Sequence, residues 1–313
     1  MRRILCVGDA CEDILIPYGA ALRGQTVFPQ FSLGGSMADA ASGLGRLGVA
    51  CGFQGKAGAD YAGKRMKNAL AADGVDVSHM KLDPALTSTQ IIIVLDENND
   101  RFPFLMPSKP QAYLEVYPED LPDTLLDEYD VVLTSGLMLF AQPAAQTVCS
   151  FLERCRQRGI TVALDINLRI ETLHGDLQHL KRAVACTNYL FGSAEEELLP
   201  LSGMHDVESA ARSLVNERCT VIARMGAQGS TVYSTQGASH CAAFPIQVAD
   251  TLGAGDSFNS GFLYALSRGW SLETANICGS AAAALNSTKV GARNCPTQEE
   301  LLAFLAQNKI SLQ

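Results

Sequence analysis

Asp250-Thr251-Leu252-Gly253-Ala254-Gly255-Asp256-Ser257-Phe258 sets a small-residue turn and a carboxylate directly before a run, 257–266, that predicts a helix. A helix start presents unpaired backbone N–H groups and the positive end of the macrodipole, so it attracts anions. Gly253 and Gly255 allow a phosphate to approach the backbone closely. Asp256 then stands beside that phosphate, within reach of a substrate hydroxyl. An anion cradle with an adjacent base is what phosphoryl transfer to an alcohol needs.

The rest of the chain accommodates such a site. Its 313 residues suffice for one large α/β domain or two smaller ones. The apolar fraction of 47% and charged fraction of 18% are those of a soluble globular protein, and a net charge of −9 argues against a nucleic-acid surface. No apolar run approaches membrane-spanning length, and the apolar stretch after Arg2-Arg3 is too short for a signal peptide; it reads as a first buried strand. Ten cysteines are scattered without CxxC pairs, mostly in apolar segments. They read as buried, reduced thiols of a cytoplasmic protein.

Short apolar runs alternate with amphipathic ones. Strands are predicted at 4–7, 49–54, 131–133, 161–164, 189–191 and 221–223, with helices at 37–47, 61–72, 142–158 and 206–217. This alternation predicts a mostly parallel sheet covered by helices. The last third is helical, over 257–266, 272–287 and 298–307. Residues 14–33 and 86–106 break the pattern. They read as extended segments with little helix, the second containing a hairpin, and together form a small sheet outside the main layer. A lid over the site is one use for it and a dimer surface another.

Two motifs mislead. Gly58-Ala59-Asp60-Tyr61-Ala62-Gly63-Lys64-Arg65 matches a phosphate-binding P-loop except at its last position, where Arg65 replaces the Ser or Thr that holds Mg²⁺. Gly43-Leu44-Gly45-Arg46-Leu47-Gly48 matches a dinucleotide fingerprint but ends a helix instead of opening one. It reads as close helix packing with a glycine cap.

A second glycine site is Leu33-Gly34-Gly35-Ser36-Met37-Ala38-Asp39, another helix start open to a polar ligand. The first strand ends at Gly8 with Asp13 shortly after, and in a parallel sheet that strand end borders the ligand crevice. Asp13, Asp39 and the glycine pair can therefore bind the hydroxyls of a polyol, although an isolated Asp is more often a turn or cap residue.

These segments together resemble the ribokinase-like (PfkB) carbohydrate kinase family, nearly end to end. Gly34, Gly35 and Asp39 match its N-terminal signature, and Asp250 to Asp256 its Asp-Thr-x-Gly-Ala-Gly-Asp loop. Lys56-Ala57-Gly58-Ala59-Asp60 with Gly63, then Gly74-Val75-Asp76, Met225-Gly226-Ala227-Gln228-Gly229-Ser230 and Val290-Gly291-Ala292 are weaker matches in the family's order. The resemblance implies a single domain over 1–313, a three-layer αβα sandwich with a mostly parallel central sheet, and a small β lid from roughly 14–33 and 86–106. It implies ATP-dependent phosphorylation of a sugar or sugar-acid hydroxyl. Asp256 would be the base, and the N–H groups of Gly253, Ala254, Gly255 and Asp256 the anion hole. Asp13, Gly34, Gly35 and Asp39 would contact the sugar. Gly226 and Gly229 would lie along ATP, with Gly291 and Ala292 near its base. A homodimer through the lid occurs in many relatives.

Some positions depart from the family pattern. Residue 39 is commonly Asn there; an ionised Asp39 would only accept hydrogen bonds. Asp256, at a helix N-terminus, is also expected to stay ionised. The family's Asn-x-x-Glu element, linked to Mg²⁺ through water, has no clean copy: Ser193 with Glu196 is the preferred alignment and Glu195 the alternative. Asp165-Ile166-Asn167-Leu168-Arg169 resembles an element of fructokinases and 2-keto-3-deoxygluconate kinases. There Arg169 would pair with a substrate carboxylate or an ATP phosphate, or else with a neighbouring acid. Arg101 in the hairpin is a further candidate acceptor contact. The loops at Asp250, Leu252 and 289–292 resemble a monovalent-cation site, which adds K⁺ to ATP and Mg²⁺ as an expected ion. The alternatives are a nucleoside kinase, with Phe28, Phe31, Phe102 and Phe104 as a flat wall or simply as lid packing, and a non-catalytic sugar or nucleotide sensor.

Overall fold

The computed structural model describes residues 2–97, 101–106, 110–168, 170, 177–310 and 312. In chain order its strands are β1 (Ile4–Val7), β2 (Cys11–Ile16), β3 (Gln30–Gly34), β4 (Cys51–Gln54), β5 (Lys56–Gly58), β6 (Lys81–Asp83), β7 (Gln90–Leu95), β8 (Arg101–Leu105), β9 (Val131–Ser135), β10 (Thr161–Asp165), β11 (Tyr189–Ser193), β12 (Thr220–Arg224), β13 (Ser230–Ser234) and β14 (Gly237–Cys241). All positions of β1, β4 and β9 are buried, as strands covered on both faces must be.

Eight strands form the main sheet in the order β14-β13-β12-β11-β10-β9-β1-β4. The six from β12 to β4 run parallel; β13 and β14 close one edge antiparallel. Helices cover both faces over two separate apolar cores, one including Met37, Phe53, Phe191, Phe262 and Ala281, the other Leu5, Val132, Phe151, Leu164 and Val221. The result is a three-layer sandwich. From β1 the chain adds β4 on one side, then crosses back to place β9 on the other. That reversal opens a crevice at the carboxyl ends of β1 and β9.

The expected strands and helices are present with ends shifted by a few residues. Tyr61–Ala72, Leu272–Ser287 and Gln298–Gln307 match to the residue, and the helix predicted to begin at 257 begins at Ala254. The edge strands β13 and β14 have no counterpart in the sequence reading. Their alternation is weak, and β14 is largely exposed. A second sheet, β3-β2-β7-β8, stands apart from the main one, with β7 and β8 paired as the expected hairpin from Ile91↔Leu105 to Leu95↔Arg101. Within 14–33 the expectation of little helix needs one correction: Tyr18–Leu22 forms a short helix. All ten cysteines are free and nine are buried.

Both misleading motifs resolve structurally. Asp60 caps the helix Tyr61–Ala72, accepting from the Gly63 N–H at 2.9 Å, and Arg65 pairs with Glu12. Residues 43–48 lie at the carboxyl end of the helix Ser36–Arg46. A Cβ on Gly43 would come within 2.5 Å of the Ser260 hydroxyl, so this helix and Ala254–Ser267 meet closely there.

Candidate active site

The helix Ser36–Arg46 starts beside the end of β1 because Asp9 caps it. The Asp9 carboxylate accepts from the Ser36 N–H at 2.7 Å and the Met37 N–H at 3.4 Å, and its carbonyl accepts from the Ala38 N–H. The second glycine site is therefore not an open helix start: its first amides already serve Asp9. What faces the crevice instead is the side chains of the first turn. The Ser36 hydroxyl donates to Asp256 Oδ1 at 2.5 Å. Asp39, only 7% exposed, has an Oδ1 buried with no hydrogen-bond partner. Asp13 on β2 lies across Gly34, where a Cβ would sit 2.6 Å from its carboxylate oxygens, so only glycine admits this approach. Asp9, Asp13, Asp39 and Asp256 thus converge from β1, β2 and two helix starts.

Such convergence alters their protonation. Burial pushes the Asp256 carboxyl up to about 7; Ser36 and Arg224 oppose the rise, while Asp165 and Asp9 add to it. The expectation that a helix N-terminus keeps Asp256 readily ionised is overturned, because desolvation and like charge outweigh the dipole. Asp39 is raised well above the usual carboxylate range by burial and by Asp256, Asp13 and Asp9, against only Arg293. The rise favours the protonated carboxyl, which can donate as well as accept, against the acceptor-only behaviour expected of an ionised Asp39.

On the far side of Asp256 a cleft of 780 Å³ opens along the sheet. Ser193, Glu196, Gly226, Gly229, Thr251, Ala254 and Gly255 line it, which unites residues from three predicted segments. Its apolar walls, Phe244, Pro245, Ile246 and Val248 facing Ala283 and Ala284, were not found from sequence. They come from an irregular stretch and from a helix read only as packing.

Between cleft and acidic pocket lies a buried polar network that sequence reasoning also missed. Arg224 at the end of β12 donates to both Asp165 oxygens, at 2.6 and 3.1 Å, and to Asn259 Oδ1. Its guanidinium also sits where a Cβ on Gly255 would meet Nη1 at 2.8 Å, directly behind the turn that opens the helix Ala254–Ser267. Glu197 folds back in a π-type turn, Ala194–Leu198, to accept from the Ser193 and Leu168 amides, and stands 3.6 Å from Arg224. Burial and Asp165 push the Glu197 carboxyl up to about 7, against Arg224. Of the three consecutive glutamates, Glu196 and the largely buried Glu197 both line the cleft.

The remaining predicted residues are placed as follows. Gly253 adopts φ 72 as the helix cap, and a Cβ there would lie 2.1 Å from the Ala292 carbonyl. Gly291 and Ala292 thus pack against the cradle and are not among the cleft lining. Ala254 donates its N–H to the Thr251 carbonyl at 3.2 Å, so the full four-amide hole expected from sequence is reduced. Asp250 ties the two loops together, accepting from the Leu252 N–H at 3.0 Å and the Gly291 N–H at 2.6 Å, and the Leu252 carbonyl accepts from Asn286 Nδ2 at 2.8 Å. Arg101 lies on β8. Arg169 falls outside the described residues. Phe28, Phe31, Phe102 and Phe104 are exposed, Phe31 with the Arg65 guanidinium 5.1 Å from its ring centre. No group of three or more His, Cys, Asp or Glu suited to hold a metal occurs among the described residues.

A family model described as pfkB family carbohydrate kinase matches residues 1–299. Aminoimidazole riboside kinase of Salmonella typhimurium is 31% identical, covering 99% of this chain and 97% of its own. Fructokinase of Klebsiella pneumoniae is 34% identical over 84% of each, and 5-dehydro-2-deoxygluconokinase of Geobacillus thermodenitrificans 27% identical over 97% and 93%. Among solved structures, Salmonella enterica aminoimidazole riboside kinase complexed with aminoimidazole riboside and an ATP analog superposes with a TM-score of 0.80 at 30% identity, over 97% and 99% of the two chains. A double mutant of Vibrio cholerae fructokinase, bound to fructose, ADP and potassium ion, gives 0.84 at 26% identity, over 97% and 98%.

Proposed function

This chain belongs to the pfkB family of carbohydrate kinases, and from that premise we propose that it transfers the terminal phosphoryl group of ATP to a hydroxyl of a sugar or sugar acid, with Asp256 as the base. One observation carries the assignment. Asp256 stands at a helix start, next to Ala254 and Gly255 of the 780 Å³ cleft lining and close to the buried Asp9 and Asp39 carboxyls.

ATP suits the cleft. Its apolar walls would hold a planar base, and Gly226 and Gly229 would let phosphates pass close to the backbone. The amides of Gly253, Gly255 and Asp256 would stabilise charge developing on the phosphoryl oxygens, with Arg224 behind them. Asp256 would take the proton of the attacking hydroxyl, while Asp13, Gly34, Gly35 and Asp39 orient the acceptor. Mg²⁺, when bound with the nucleotide, would offset phosphate charge, and Glu196 and Ser193 at the cleft wall would hold it through water. K⁺ would lie between the loops that Asp250 joins, near the Leu252 carbonyl. Activity that stays flat across a KCl series at constant ionic strength would remove K⁺ from the proposal.

The small sheet β3-β2-β7-β8 serves in this reading as a lid of a single domain over 1–313, and Arg101 on its hairpin and Arg169 after β10 are further acceptor contacts. A riboside acceptor is the second reading, favoured by the 31% identity to aminoimidazole riboside kinase. A homodimer through the lid sheet and a cytoplasmic place of action complete it. Among the described residues no helix is long and apolar enough to cross a membrane.

Asp256→Asn tests the core of this reading. Turnover should fall by about 10²–10⁴ while ATP still binds. Near wild-type turnover would remove Asp256 from the role of base.

A further inference from the structure

Among the described residues, the acceptor site is rich in acid and its nearby cations are already paired. Asp9, Asp13, Asp39 and Asp256 face one another from β1, β2 and the starts of the helices Ser36–Arg46 and Ala254–Ser267. Cys11 and Tyr113 also border this group: the Cys11 thiol donates to Asp13 at 3.6 Å, and burial with Asp9 and Cys11 pushes the Tyr113 hydroxyl up to about 12. Among the described residues, the two cations whose charge reaches these acids, Arg293 and Arg224, are committed elsewhere. Arg293, which bears on Asp39, is bound to Asp73 and to the Ala69 carbonyl. Arg224, which bears on Asp256, is held by Asp165 and Asn259. Arg65, on the helix Tyr61–Ala72, is likewise paired, with Glu12 through Nε and Nη2 at 2.6 and 2.8 Å. Within this cluster Asp39 keeps one oxygen buried and without a partner, so the pocket holds a polar site that only an incoming group can satisfy.

We propose that this pocket selects acceptors without a negative charge, an uncharged sugar or an amino-bearing riboside, and that Asp39 is the residue that discriminates against sugar acids and sugar phosphates. The inference rests on the kinase reading above and narrows it. An anionic acceptor would bring another negative charge into a desolvated group of carboxylates. It would also raise the Asp256 carboxyl further, leaving less of the base ionised. An uncharged hydroxyl meets no such penalty. Asp39 in its protonated form offers it both a donor and an acceptor, which is what a carboxamide offers.

The test uses three probes with Mg-ATP and ADP release: fructose, aminoimidazole riboside and 5-dehydro-2-deoxygluconate. Either uncharged probe should exceed the acid in kcat/KM on the order of 100-fold. In the wild type, KM for the uncharged probe should rise on the alkaline side, where Asp39 ionises. In Asp39→Asn that rise should vanish, and the discrimination against the acid should narrow at the pH values where the wild-type Asp39 is ionised. A preference for the acid, lost on Arg169→Ala, would supply the missing cation at Arg169 and overturn the proposal. An unchanged alkaline KM profile in Asp39→Asn would overturn the role of Asp39. If no probe releases ADP, the kinase reading has failed separately; the order of affinities by calorimetry then still decides the charge preference, with tighter binding of the acid counting against it.

Discussion

Asp256 is subject to opposing demands. As a base it must be ionised, yet the packing that aims it at the acceptor desolvates it and sets Asp165 and Asp9 nearby, raising its carboxyl to about 7. The sign follows directly: the protonated form cannot take a proton, so kcat should fall about tenfold per pH unit below a limb near 7 and level off above it. Arg224 opposes the rise, so Arg224→Met should move that limb toward alkaline pH as well as lower kcat. A pH–rate profile of both proteins checks this; a limb near pH 4 in the wild type, or one unmoved by the substitution, would show that the pocket does not control the base. The identity of the base was legible in the glycine-aspartate run. Its protonation was not, because Asp9 and Asp165 are 247 and 91 positions away in the chain and join it only through the sheet. Asp9 was missed for a related reason. A single carboxylate two residues past a strand looks like any turn residue until a distant helix is found resting on it.

The helix Ala254–Ser267 owes its place to the cap before it. Gly253 turns through φ 72 and passes under the Ala292 carbonyl, leaving no room for a Cβ. Gly253→Ala should therefore cost about 1–3 kcal/mol from backbone strain alone, and more from the contact with Ala292. It should also depress kcat, because the amides that face the cleft would shift with the turn. Thermal melting and turnover together check it: a variant as stable and as active as the wild type would show that neither the turn nor the 291–292 loop constrains the helix. Elements of this kind were readable wherever a local signal fixed them. The helix Tyr61–Ala72 announces itself with Asp60 as its cap, and β1 with four consecutive apolar residues. The strands β13 and β14 and the walls at Phe244 and Val248 carry no such signal. They are shaped by the sheet edge and the helix Leu272–Ser287 they lie against, a tertiary constraint that no short window contains.

At the scale of the molecule, the alternation of strands and helices determines the main sheet, and the reversal between β4 and β9 locates the crevice. The small sheet obeys a different logic. One tie to the body is Glu12 on β2, which is buried and held by Arg65 of the helix Tyr61–Ala72. The sheet's rings are left in solvent: Phe31 is 54% exposed on β3, and Phe102 and Phe104 are 49% and 57% exposed on β8. Exposed apolar surface concentrated on one element marks an interface more often than chance. The edges are poor candidates for it, since Pro103 interrupts the outer strand β8 and blocks strand-to-strand extension. The face of the sheet is the better one, and a second copy of this chain offers a matching face under two-fold symmetry. The expected outcome is a dimer by light scattering at micromolar concentration, converted to monomer by Phe102→Asp with Phe104→Asp. If the same sheet also closes over the acceptor, the monomer should show a raised acceptor KM with ATP affinity little changed. A wild-type monomer across that concentration range would sink the interface, and leave the exposed rings to be explained by the acceptor alone.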